Sequence, residues 1–175
     1  SMITNGCALI ALMELLKPAI AHSINLSSPR LVLDTNVVLD CLVFRDPAVR
    51  NLMTAIEAKC VQTLVHPVTL DELKRVLAYP QCRLNAAEQQ QVLDRYLGLG
   101  TLAAMPEGFS RETLLLPTDF PRCRDHDDQP FLALAFHARA EGLVTKDKLI
   151  LKLRKKVRKF GVLVFAPADL KLPEV

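Results

Sequence analysis

Asp34, Glu72, Asp128 and Asp147, with Asp127 beside the third, are the side chains whose types and spacing can do chemistry. Asp34 ends an apolar run in Leu33-Asp34-Thr35-Asn36, and Asp147 ends another in Leu143-Val144-Thr145-Lys146-Asp147. Asp127 and Asp128 stand just before a helical pattern near Pro130, and Glu72 lies on a helical pattern after a second apolar run. Apolar strands of an open parallel sheet end at a crevice where ligands bind. Acids gathered there repel one another and rise in pKa unless a cation joins them. Hard oxygen donors in a partly hydrated cluster suit Mg²⁺ or Mn²⁺ rather than zinc. Each acid also has a plainer role, because an Asp before a helix is commonly its N-cap. The short polar groups of Thr35, Asn36 and Thr145 can orient such carboxylates.

The elements that must position these acids alternate. Leu31-Val32-Leu33 is a wholly apolar run that suits a strand buried on both faces. Helical patterns follow at 37–44 and 47–59, then a strand at 61–65 and a helix from Pro67 to Ala78, stopped by Pro80. Residues 85–97 read as a polar helix with Asn85 as N-cap and Gly98 as its stop. Short extended pieces are expected around 113–116. A helix over 130–141, a strand over 142–145, a basic helix over 148–159 with Leu149, Ile150, Leu153 and Val157 on its apolar side, and a strand over 161–165 complete the pattern. This is an α/β fold, a three-layer sandwich around a mostly parallel sheet. An N-terminal extension of residues 1–29 precedes the domain at 30–172. It contains Ser1, read as a tag remnant, and a helix over 7–22 that either packs on its own domain or makes a homodimer contact.

The chain has 175 residues, half of them apolar, enough for one domain with its own core. Its net charge is +3, but eight basic residues and one acid between Lys146 and Lys159 give that stretch +7 and leave −4 for the rest. A localised basic stripe attracts polyanions whatever the total. Five unevenly spaced cysteines without a C-x-x-C form no disulfide framework or zinc site and suit a reducing, cytoplasmic setting. No run reaches the roughly 18–20 apolar residues of a membrane span, so no membrane association is expected. Gly98-Leu99-Gly100-Thr101-Leu102-Ala103 fits G-x-G-x-x-A but follows a helix instead of a strand, which is the wrong context for a dinucleotide fingerprint. A His126 beside the acids is an ordinary loop residue, imidazole being a poor Mg²⁺ ligand.

Leu-Asp-Thr-Asn at 33–36, Val-Thr-Leu-Asp-Glu-Leu at 68–73, Arg-Asp-His-Asp-Asp-Gln-Pro-Phe-Leu-Ala-Leu-Ala at 124–135, Leu-Val-Thr-Lys-Asp at 143–147 and Pro-Ala-Asp-Leu at 167–170 occur in an order that resembles the PIN-domain family. The resemblance is strongest to bacterial toxins of type II toxin–antitoxin pairs, the VapC-like ribonucleases. It implies a metal-dependent endoribonuclease with one or two Mg²⁺ or Mn²⁺ ions. The quartet it implies is Asp34, Glu72 rather than Asp71, Asp128 with Asp127 as rival, and Asp147, supported by Asn36 and Thr145. It further implies an RNA substrate and an antitoxin partner. Lys146 departs from the pattern, since a small residue is common there.

Lys146, Lys148, Lys152, Lys155, Lys156 and Lys159 are the candidates for holding an RNA backbone, against the alternative of a merely solvated helix face. With two Tyr, seven Phe and no Trp, stacking on single-stranded bases is expected to be limited. A non-catalytic PIN module binding RNA or protein is the competing function. A dehalogenase-like phosphatase is disfavoured because its second Asp is replaced by Asn36.

Overall fold

A computed structural model describes residues 28–170 and 172. The N-terminal helix expected over 7–22 lies outside these residues. Five strands form one parallel sheet: β1 (Arg30–Leu33), β2 (Gln62–Val65), β3 (Gly100–Leu102), β4 (Gly142–Val144) and β5 (Val164–Phe165), in the order β3-β2-β1-β4-β5. Six α-helices connect them: α1 (Thr35–Leu39), α2 (Arg50–Glu57), α3 (Pro67–Leu77), α4 (Ala86–Leu99), α5 (Gln129–His137) and α6 (Lys148–Val157). A parallel sheet has both faces covered, so its strands are apolar on both sides. In β1, Leu31 and Leu33 enter one core while Val32 enters the other, which is the period of two that a strand imposes. The first core joins them to α1 through α4, through Val37, Leu52, Leu73 and Tyr96. The second joins Val32, Leu64 and Leu143 to Phe131 and Leu134 of α5 and to Ile150 and Val157 of α6. The result is the expected α/β/α sandwich, with every strand parallel.

Two local expectations change. Gly98 does not stop α4, which runs on to Leu99 and passes directly into β3 at Gly100. Gly100 is the glycine the fold requires, because a Cβ there would meet Val65 Cγ1 at 2.8 Å. The G-x-G-x-x-A pattern therefore runs from helix to strand, the reverse of a dinucleotide site. The start of α4 is as expected: Glu88 N–H donates to Asn85 Oδ1 and Asn85 N–H to Glu88 Oε2, a capping box.

The extended pieces expected at 113–116 are also absent, since this edge strand forms earlier, at 100–102. The segment after it is irregular and is held by side chains. Phe109 packs edge-on between His66 and His137, whose Nε2 lies 2.8 Å from the Leu114 carbonyl. Gln129 accepts from Cys123 N–H and donates to the Pro121 carbonyl.

The order of strands places the site. From β1 the chain moves outward to β2 and β3, then returns to β4 on the other side of β1. The crevice of such a sheet opens at this reversal, outside the carboxyl ends of β1 and β4. Asp34 and the Thr145–Asp147 turn are the residues that follow those two ends.

Candidate active site

Asp34 follows β1 directly and is 3% exposed. Its N–H donates to the Val144 carbonyl, continuing the β1–β4 ladder by one residue. Thr145, fully buried, donates its hydroxyl to Asp34 Oδ2 at 2.7 Å. The same hydroxyl oxygen accepts from Asp147 N–H at 2.9 Å, so one side chain sets both strand ends. Burial raises the Asp34 pKa, and the Asp147 charge adds to the rise against the Thr145 hydrogen bond.

Glu72 reaches the same place from α3. Helix α3 begins at Pro67, with His66 Nδ1 accepting from Val68 N–H as its cap. One turn later Glu72 points inward and Asp71 outward, since Asp71 is exposed and Glu72 half-buried. Thr35 donates its hydroxyl to Glu72 Oε2 at 3.0 Å. Burial first, then repulsion from Asp34 and Asp127, pushes Glu72 up to about 7.

Asp128 is 9% exposed at the entrance to α5. Burial, followed by the charges of Asp34, Asp147, Asp125 and Glu72, pushes it up to about 7. Its Oδ2 lies 3.9 Å from the Cys123 thiol, which donates to it. Asp127, its sequence neighbour, is directed elsewhere. It accepts from Arg75 and Arg111, which hold its pKa below the usual carboxylate range. A carboxylate already neutralised by two guanidiniums has little charge left for a cation, so electrostatics separate these adjacent residues.

Helix capping accounts for one of the three aspartates. Asp147 Oδ1 accepts from Leu149 and Ile150 N–H at the start of α6. Asp34 and Asp128 also occupy N-cap positions, yet neither side chain caps its helix. Two buried acids thus have raised pKa values and no capping role. Asn36 is exposed on the first turn of α1, and His126 is exposed beside Asp127.

Among the described residues, no three Asp, Glu, His or Cys side chains stand close enough to ligate one ion directly. The donor set is nonetheless of one chemical kind, four carboxylates, and the pKa values of Asp34, Glu72 and Asp128 are raised by burial and by neighbouring acids. That suits a hard divalent cation retaining several of its waters.

Lys146, exposed in part, turns back to Asp40, with Nζ 2.6 Å from Oδ2 and 3.8 Å from Asp46 Oδ2. Lys148, Lys152, Lys155, Lys156 and Lys159 are exposed and form no ion pair among the described residues. Ile150 and Val157 bury the opposite side of α6, with Leu149 and Leu153 half-buried, as the pattern predicts. Asp40, Arg75 and Arg111 were not legible as part of this neighbourhood, because their partners lie 106, 52 and 16 residues away in the chain.

A chain from the crystal structure of VapBC2 from Rickettsia felis, bound to a DNA fragment from their promoter, superposes with a TM-score of 0.50 at 15% identity. The match covers 78% of this chain and 98% of that one. No curated protein matches significantly in sequence. No helix among the described residues is long and apolar enough to cross a membrane. The family model described as PIN domain matches residues 30–149, from the first residue of β1 into the first turn of α6. This chain belongs to the PIN domain family.

Proposed function

We propose that the protein is a divalent-metal-dependent endoribonuclease, using Mg²⁺ or Mn²⁺, and the toxin of a toxin–antitoxin pair. The observation that carries the catalytic reading is that Asp34 and Asp128 are buried at helix entrances and cap neither helix. Burying a carboxylate costs free energy unless it is paired or holds a cation. Asp34, Glu72, Asp128 and Asp147 are the residues that would hold one or two ions, partly through water. A bound ion supplies charge neutralisation at the phosphate and a water of lowered pKa. Thr145 holds Asp34 in one orientation and ties it to Asp147. Thr35 does the same for Glu72. The products of such hydrolysis are a 5′-phosphate and a 3′-hydroxyl. The lysines of α6 lie along the helix that starts at Asp147 and would hold the RNA backbone, supplying affinity with little sequence choice. Asn36 stands at the same crevice as a supporting polar group.

The toxin assignment draws on the fold shared with the VapBC2 chain. It implies an antitoxin covering the acidic crevice and a cytoplasmic setting. Residues 1–29 are assigned to an extension outside the domain at 30–172, where a homodimer contact is one role.

Hydrolysis of labelled single-stranded RNA with Mn²⁺, comparing wild type with Asp34→Asn, tests the catalytic reading. Cleavage by wild type alone supports it. Equal cleavage by both points to a contaminant and overturns it. A non-catalytic module is the second reading, favoured in that no three ligating side chains surround one point among the described residues. Calorimetric titration decides between them, since a module would not bind Mn²⁺ at millimolar concentration.

A further inference from the structure

Phe44 is placed unlike the other phenylalanines of this chain. Of seven phenylalanines, Phe120 and Phe131 are buried, four are half-buried, and Phe44 is 51% exposed. A single exposed apolar side chain is ordinary on a protein surface; what sets Phe44 apart is the backbone that presents it and the crevice it lines.

The backbone that presents it is specialised. Helix α1 does not end at Leu39 but widens into a π-helical turn over Asp40–Phe44. That turn closes on Arg45 in the left-handed conformation, φ 51°. Such widened turns are rare and occur often at functional sites. The turn is also fastened to the acidic crevice. Asp40, its first residue, is buried and receives Lys146, which stands between Thr145 and Asp147. Phe44 therefore cannot shift far relative to Asp147 without breaking this pair.

Between the π-turn and the start of α6 lies an open crevice of about 450 Å³, lined by Asn36, Phe44, Lys146, Asp147 and Lys148. The volume is within the usual range for small-molecule sites. Its chemistry is an aromatic face, an amide, the Lys146–Asp40 pair and the Lys148 ammonium, which forms no ion pair among the described residues, next to one of the four acids.

We propose that this crevice is a nucleotide subsite of the substrate strand, with Phe44 stacking the base adjacent to the scissile phosphate and Lys148 meeting that nucleotide's phosphate. The proposal rests on the ribonuclease reading and adds to it a base-contacting residue. Stacking accepts any base, because every base has a π-face, so the subsite positions the strand more than it selects a sequence. It is compatible with the low aromatic count, since it asks for one ring only.

The chain contains no tryptophan, so Phe44→Trp installs a single indole at the site. In an Asp34→Asn background, which blocks turnover, a short single-stranded RNA should quench that fluorescence saturably. An abasic ribose-phosphate oligomer of equal length should bind through its charge and leave the indole unchanged. In the otherwise wild-type chain, Phe44→Leu should raise KM about 5- to 150-fold, the range expected for one lost stack, with kcat little altered. Phe44→Tyr should restore wild-type KM. An indole unaffected by RNA that anisotropy shows to be bound overturns the subsite and leaves the nuclease reading intact. Equal quenching by the abasic oligomer overturns stacking. A wild-type chain that neither binds nor cuts RNA fails the ribonuclease reading itself, and the subsite with it.

Discussion

Thr145 Oγ1 donates to Asp34 Oδ2 at 2.7 Å while accepting from Asp147 N–H at 2.9 Å, joining two acids that lie 113 positions apart through one buried hydroxyl. Threonine suits this position because its branched Cβ fits a strand end and restricts the hydroxyl to few directions. Thr145→Val keeps the shape and removes both bonds. It should cost about 1–3 kcal/mol of stability, the usual penalty for leaving a buried polar group unpaired, and should lower kcat more than it raises KM. Thr145→Ser should recover most of both. Denaturant melts and RNA cleavage kinetics of the two variants check this, and a Val variant with wild-type kcat would remove Thr145 from the site's organisation.

The raised carboxyls predict an unusual response to pH. Glu72 and Asp128 stand at about 7 in the folded chain, against ordinary carboxyl values of 4.5 and 3.8. The folded state therefore binds more protons than the unfolded one between about pH 4 and 7, and these groups' contribution to stability is lost as pH rises through 7. His66, whose pKa is lowered by burial, works in the opposite direction. The comparison with Asp128→Asn isolates the carboxylate. The metal-free wild type should lose more Tm between pH 5.5 and 8 than the variant, by on the order of 5 °C. Mn²⁺ should raise the wild-type Tm most at pH 8. Parallel curves for the two proteins would refute the raised Asp128 carboxyl.

Binding of RNA along α6 predicts a salt signature. Each phosphate contact on a single strand contributes about 0.7 to the slope of log K against log salt. Lys155→Glu, Lys156→Glu and Lys159→Glu together should weaken binding and reduce that slope by about 2. Fluorescence anisotropy at several salt concentrations measures it. An unchanged slope would mean that the lysines are only a solvated face.

The Lys146–Asp40 pair is unequal, since Lys146 is 44% exposed and Asp40 only 10% in their side chains. Lys146→Met strands a buried carboxylate and should cost about 1–3 kcal/mol. Lys146→Met with Asp40→Leu should recover much of that loss, because removing both partners leaves nothing unpaired. Urea melts of the single and double variants give the coupling. An additive double variant would mean that the pair contributes no interaction of its own.

Much of the architecture was legible locally. Short apolar runs ending in Asp34 and near Asp147, and amphipathic patterns between them, follow from periods of two and 3.6 that neighbouring residues impose on each other. Asn85 announced the start of α4 as its N-cap, and the structure adds Glu88 as the other half of a capping box. The end of α4 was misread because a glycine near a helix end usually stops it, whereas here the constraint was on Gly100, where the Val65 side chain of β2 approaches. The edge strand at 100–102 was missed because it has three residues, two of them exposed, and carries little hydrophobic signal.

The sequence by itself determined which acids were candidates and that they would follow strand ends, since both are properties of contiguous residues. Only the tertiary structure decided what each one does. It turned Asp127 to Arg75 and Arg111 and left Asp128 buried against the Cys123 thiol, though the two are neighbours in the chain. It gave Asp147 a capping role and withheld one from Asp34. It spent Lys146 on Asp40 and exposed Phe44 beside the same crevice. The physical reason is range. Periodicity and capping act over a few residues, whereas burial and charge pairing depend on which distant segments the sheet order brings together.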